Sequence, residues 1–178
     1  MRNKRAVGWL MVFAVLAVYL VCADRIALLF YDGQQMKLVG FVSFTSTVNG
    51  EACLDSFEKS SDLFDGYTFS GWAFCDTTQP NENKEISIVL KRDDSNECYT
   101  VAQKPSNRQD VYEAFHDTHS IVGQNHGVSI QFTTLSMEDG IYELYFHVKE
   151  NADSSCLLNM NMCFEKKGRR LDICEKRE

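Results

Sequence analysis

Short stretches in which apolar and polar residues alternate one by one recur through most of this chain, and that period of two constrains the fold more than any other feature. Residues 85–92 set Ile86, Ile88 and Leu90 against Ser87 and Lys91. Residues 127–133 do the same with Val128, Ile130 and Phe132, and residues 141–148 with Tyr142, Leu144, Phe146 and Val148. In residues 156–164 Leu158, Met160, Met162 and Phe164 alternate with Asn159 and Asn161. Residues 67–75 place Tyr67, Phe69, Ala73 and Cys75 on one side of a strand and Trp72 and Phe74 on the other.

Turn signals separate these stretches: Asp93-Asp94-Ser95-Asn96, Asp139-Gly140, and the polar connection 76–84 with Gln79-Pro80-Asn81. With 37–46 and 98–103 they predict about seven strands in an all-β, antiparallel β-sandwich. Residues 54–66 are acidic and unpatterned and read as a loop or one helical turn. Residues 109–115 lack alternation and read as one or two helical turns crossing between sheets.

One segment breaks the pattern. Residues 6–23 form an uncharged apolar run of 18, preceded by Arg2, Lys4 and Arg5 and followed by an acidic remainder. That length is about the minimum for a transmembrane helix, and the flanking charge favours a C-terminal side outside the cytoplasm. A cleaved signal peptide ending near Ala23 is the alternative, because Val21-Cys22-Ala23 suits a peptidase. The expected organisation is therefore an anchor or signal segment at 1–23, a juxtamembrane linker at 24–36 and an extracytoplasmic domain at 37–178. Both alternatives export the domain, either as a single-pass membrane protein or as a secreted one.

Charge narrows the partners. The chain carries −7 overall, and +3 of its charge lies in the first 23 residues, which leaves −10 on the rest (15 basic against 25 acidic side chains). So acidic a domain repels phosphate backbones, which argues against nucleic acid. The basic cluster Lys166, Lys167, Arg169 and Arg170 reads as a solvated turn.

Seven cysteines are present. Cys22 lies in the apolar segment; Cys53, Cys75, Cys98, Cys156, Cys163 and Cys174 are disulfide candidates in an exported domain. Zinc wants close pairs such as Cys-x-x-Cys, which the sequence lacks, and buried thiols are the remaining alternative.

Sites for chemistry are sparse. His116, His119 and His126, with Asp110 and Asp117, fall in a turn-like stretch and read as solvated loop histidines. Asp62, Asp65 and Asp76 give only a weak calcium signal. No nucleophile elbow, phosphate-cradling loop or His-Glu-x-x-His is present, so no catalytic residue, metal or cofactor is expected. Trp72 is the candidate for ligand binding: either inter-sheet core, or a platform for a sugar ring that Tyr99 or Tyr145 widens.

Ser70-Gly71-Trp72-Ala73-Phe74, Ile86–Leu90 with Tyr99, Arg108-Gln109-Asp110-Val111 and Gly140-Ile141-Tyr142-Glu143-Leu144 together resemble small Ig-like sandwich domains of gut-type Gram-positive envelope proteins. Such domains occur beside polysaccharide-synthesising or modifying machinery. The chain departs from them at His126-Gly127-Val128, where they carry Gly-Phe, and in its number of cysteines. The resemblance implies a non-enzymatic accessory or recognition domain whose partner is envelope polysaccharide or a membrane protein of its assembly machinery. A structural or protein-binding module of a membrane complex is the alternative. Arg108 and Asp110 read as a charge-assisted pair that fixes the crossover.

Overall fold

The computed structural model describes residues 2–44, 46–77, 84–150 and 154–175, with the side chains of residues 2–6, 24 and 25 left aside. The expected connection around Gln79-Pro80-Asn81 lies outside them. The chain divides into two compact units, residues 1–32 and 33–178.

The first unit is one helix, α1 (Arg2–Leu28). It runs past residue 24, so the helix takes up the start of the expected linker. Among the described residues, no helix is long and apolar enough to cross a membrane. The side chains described in α1's apolar run begin at Val7, one residue into the 6–23 segment. They are exposed on every side of the helix, from Trp9 and Leu10 through Phe13 and Leu16 to Leu20 and Val21.

The second unit is mainly strand. In order come β1 (Gln34–Gln35), β2 (Lys37–Gly40), β3 (Gly50–Ser61), β4 (Gly66–Cys75), β5 (Glu85–Arg92) and β6 (Glu97–Gln103). Then follow β7 (Ser106–Asn107), the short helix α2 (Gln109–Phe115), β8 (Asn125–Thr133), β9 (Gly140–Lys149), β10 (Ser155–Lys167) and β11 (Arg170–Cys174). One sheet has the order β1-β8-β4-β3, with β7 also on β8; the other is β11-β10-β9-β5-β6-β2. Every pairing is antiparallel except β1 with β8.

The two sheets share one core, so their inner faces meet. Tyr67, Phe69, Phe132 and Ile130 come from the first sheet, and Ile86, Ile88, Leu90, Tyr142, Leu144, Phe146 and Phe164 from the second. Phe57 ties the layers together: its ring lies 4.9 Å from Phe69 in its own sheet and 5.0 Å from Phe164 in the other. Cys75 and Cys156 form a disulfide between β4 and β10, and it too crosses the core.

The expectation of about seven strands falls short by several edge elements. Residues 54–66 are largely strand rather than loop. Asp55 is an extra residue in β3, standing between the pairs Leu54–Gly71 and Ser56–Ser70. One extra residue reverses the inward-outward order, and that erases the alternation. In β10, by contrast, Met160, Asn161 and Met162 stand opposite Leu144 alone. Two extra residues restore the phase, so Leu158, Met160, Met162 and Phe164 all reach the core despite the bulge, where Asn161 takes a φ of 52°. The expected strand at 37–46 ends at Gly40. A 3₁₀ turn, Phe41–Ser43, follows and lays Phe41 against Tyr145 and Phe44 against His147 on the outer face of the second sheet.

Candidate functional site

Trp72 sits on the outer face of the first sheet, between two strands that expose it to different neighbours. It pairs with Cys53 on β3 and Gly127 on β8. Directly paired residues share a face, so whatever covers Gly127 lies beside the indole. That cover is Arg108. Its Cγ lies 2.6 Å from where a Cβ on residue 127 would stand, and Ser106 Oγ is equally close.

Of the two expected fates of Trp72, the structure contradicts one. It is not inter-sheet core, because the side chains pointing into the core from β4 are Tyr67, Phe69, Ala73 and Cys75. On the outer face it has aromatic neighbours. Trp72 stacks on Phe74 at 5.8 Å and meets Phe115 of α2 at 5.1 Å, in a small second cluster with Val111 and Ile121. The indole is left half-buried.

Around it stands a ring of charge. Arg108 donates from Nε and Nη2 to the two oxygens of Asp110, at 2.8 Å each, and from Nη1 to Asp55 at 2.7 Å. The expected Arg108–Asp110 pair forms at the entry to α2, but β7 and β8 on either side of that helix belong to the same sheet, so the pair fixes a connection within one sheet and not the expected crossing between sheets. Hydrogen bonds from the guanidinium hold the Asp110 carboxyl down at about 2, and the two carboxylates raise Arg108 further. Asp55 was hidden from sequence reasoning, since the bulge that aims it at Arg108 also removed the strand signal. On the Phe74 side, His119 bridges Asp76 at 2.9 Å and Glu51 at 3.3 Å.

The histidines are not three solvated loop residues. His116 is exposed and lies against Tyr112 and Asp117. His126 is buried, with Nδ1 3.1 Å from the Lys84 ammonium and Nε2 2.9 Å from the Gly123 carbonyl. That fixes a neutral ring with its proton on Nε2. Burial, with the Lys84 charge adding to it, lowers His126 to about 4. Lys84 in turn meets Glu150 at 2.6 Å, both buried; desolvation lowers the lysine while Glu150 opposes the shift.

Tyr99 and Tyr145 do not join Trp72. Tyr99 lies in the inter-sheet core, where its hydroxyl accepts from the Glu138 N–H at 3.3 Å. Tyr145 is on the outer face of the other sheet, donating to Glu143 at 2.8 Å, and burial then that hydrogen bond push it up to about 12. The three acids of the calcium reading have separate partners: Lys59 for Asp62, Arg169 for Asp65 and His119 for Asp76. Lys166 and Arg169 are likewise not purely solvated. Lys166 is buried and Arg169 holds the buried Asp65.

Comparison with protein-family models, with curated proteins and with solved structures finds no match to this chain.

Proposed function

We propose that this is a non-enzymatic, extracytoplasmic recognition domain of immunoglobulin-like fold, which binds a neutral envelope glycan on the Trp72 face. The observation that carries the proposal is the setting of Trp72: a half-buried indole on an outer sheet face, beside carboxylates on β3 and at the start of α2. An indole face stacks on the apolar face of a sugar ring, and flanking carboxylates accept from its hydroxyls. The domain's surplus of acid disfavours a polyanionic ligand.

Three observations support the fold and the address. The order β3-β4-β8 facing β10-β9-β5-β6 matches the A-B-E and G-F-C-C′ order of immunoglobulin-like domains, with β1, β2, β7 and β11 as additions. Tyr142, near the start of β9, donates its hydroxyl to the Glu138 carbonyl four residues upstream at 2.7 Å, in the manner of a tyrosine corner. The disulfide Cys75–Cys156 suits an oxidising compartment, and α1, apolar all round behind three positive charges, suits membrane insertion. We read α1 as an anchor or a removable signal.

The test is binding of residues 33–178, folded under oxidising conditions, to a panel of neutral and acidic envelope polysaccharides, with Trp72→Ala alongside. Saturable binding to a neutral glycan, lost in a folded Trp72→Ala protein, supports the proposal. A folded domain that binds none of the panel overturns it.

A protein-binding reading has its own support. Val42 is 82% exposed and Leu38 54% exposed at the β2 edge of the second sheet, an apolar border that a membrane-protein partner would cover. Loss of partner capture in Val42→Asp with glycan binding intact would favour it.

A further inference from the structure

Cys163 and Cys174 are direct partners across β10 and β11, at the end of the hairpin opposite its turn. Their Sγ atoms lie 2.9 Å apart as thiols, and Cys163 Sγ also lies 2.8 Å from the Cys174 carbonyl oxygen. Directly opposed residues of an antiparallel pair hold their Cα atoms about 4.5–5.5 Å apart, inside the range that disulfides span. That spacing suits a disulfide between them.

We propose that Cys163 and Cys174 form a second intrachain disulfide, closing the β10–β11 hairpin at its open end. The chemistry is thiol–disulfide exchange with a small-molecule or protein disulfide. Each cysteine gives up a proton, the two sulfurs give up two electrons, one S–S bond forms in the chain, and the donor disulfide leaves as two thiols. The occurrence of this reaction in the cell rests on the export reading above; the geometry does not.

The consequence is local. β11 is the edge of its sheet and pairs only with β10 among the described strands. It nevertheless carries Leu171 into the core, where the Leu171 N–H donates to the Tyr67 hydroxyl at 2.8 Å. A staple at Cys174 holds the strand at the end that its turn does not. The other two cysteines of the domain stay thiols: Cys53 is exposed on β3, and Cys98 is buried on β6 against the Val39 carbonyl.

The experiment is a disulfide map of the full chain in detergent, equilibrated with oxidised and reduced glutathione, alkylated without reduction and digested for mass spectrometry. The expected result is a linked Cys163–Cys174 peptide, with alkylation of both residues reduced at least tenfold relative to a fully reduced sample, and Cys53 and Cys98 alkylated. Cys174→Ser should restore Cys163 alkylation without altering the Cys75–Cys156 peptide. If Cys75–Cys156 links but Cys163 and Cys174 are alkylated, or are linked to other cysteines, the staple is overturned. Failure of both links overturns the staple and removes the disulfide support for export as well. A parallel map of the chain alkylated in intact cells that make it separates the two ideas: a staple that forms in glutathione but not in those cells leaves the geometry standing and counts against export.

Discussion

Arg108 occupies the space that a side chain at Gly127 would need: its Cγ stands 2.6 Å from the position of a Cβ there. The glycine lets the arginine cross β8 closely, and the arginine then reaches Asp55 and Asp110 from one position. Gly127→Ala should therefore push Arg108 off the sheet and destabilise the domain by about 1–3 kcal/mol, the usual cost of overpacking. Denaturant midpoints read this directly. In an Arg108→Ala background the added methyl should cost less, since one of its two 2.6 Å contacts is gone and the Ser106 hydroxyl remains. Equal costs in both backgrounds would mean that the clash is not with Arg108.

His126 should make the domain acid-sensitive in a defined window. Its folded value is about 4, below the ordinary 6.5 of an unfolded histidine. Between those values the unfolded chain takes up a proton that the folded one refuses, so stability is full above about pH 6.5 and falls as pH drops towards 4. The loss is of order 3 kcal/mol at most, at about 1.4 kcal/mol per pH unit of difference. Lys84 lies 3.1 Å from the ring nitrogen and is itself paired with Glu150 at 2.6 Å, so the cation that opposes protonation of His126 is held in place. Urea midpoints from pH 7 to 4.5 should drop for the wild type and much less for His126→Gln. Parallel curves would refute the assignment.

How much of this was legible in the sequence follows the period of two. Where one face is core and the other is more open, as in β9 and the second half of β8, alternation named the strand and its inward residues. It failed where a single extra residue inverts the faces, as at Asp55, and where the strand is short and exposed, as in β1, β7 and β11. The site was half legible for the same reason. Trp72 and the Arg108–Asp110 pair stand out locally, but Asp55 reaches Arg108, and Glu51 and Asp76 reach His119, only through the fold. Tyr99 and Tyr145 show the limit in the other direction, since both are strand tyrosines and only the sheet order reveals that they face away from Trp72.

The disulfide between the layers should dominate stability. Cys75 and Cys156 are 81 residues apart, and closing a loop of that length removes roughly 4 kcal/mol of unfolded-state entropy in the chain-entropy model. A Cys75→Ala/Cys156→Ala protein should unfold at a much lower denaturant concentration than the oxidised wild type. A midpoint within error of the wild type would show that the bond is not formed in solution.

Tyr142 offers the sharpest single-atom test of the corner. Its ring is fully buried, packed at 5.9 Å against Tyr99, and its hydroxyl is the donor to the Glu138 carbonyl. Burial, the largest influence, raises its ionisation well above that of a free tyrosine, so the donor proton is retained throughout the accessible pH range. Tyr142→Phe keeps the packing and deletes only this hydrogen bond, leaving the carbonyl without its donor. The expected cost is about 1–2 kcal/mol with an unchanged denaturant slope. It should appear chiefly as faster hydrogen exchange at the 138–142 turn, because the bond ties that turn to the start of β9. A Tyr142→Phe protein with wild-type stability and wild-type exchange would mean that β9 is set by sheet packing alone, and the corner would then lend no support to an immunoglobulin-like reading.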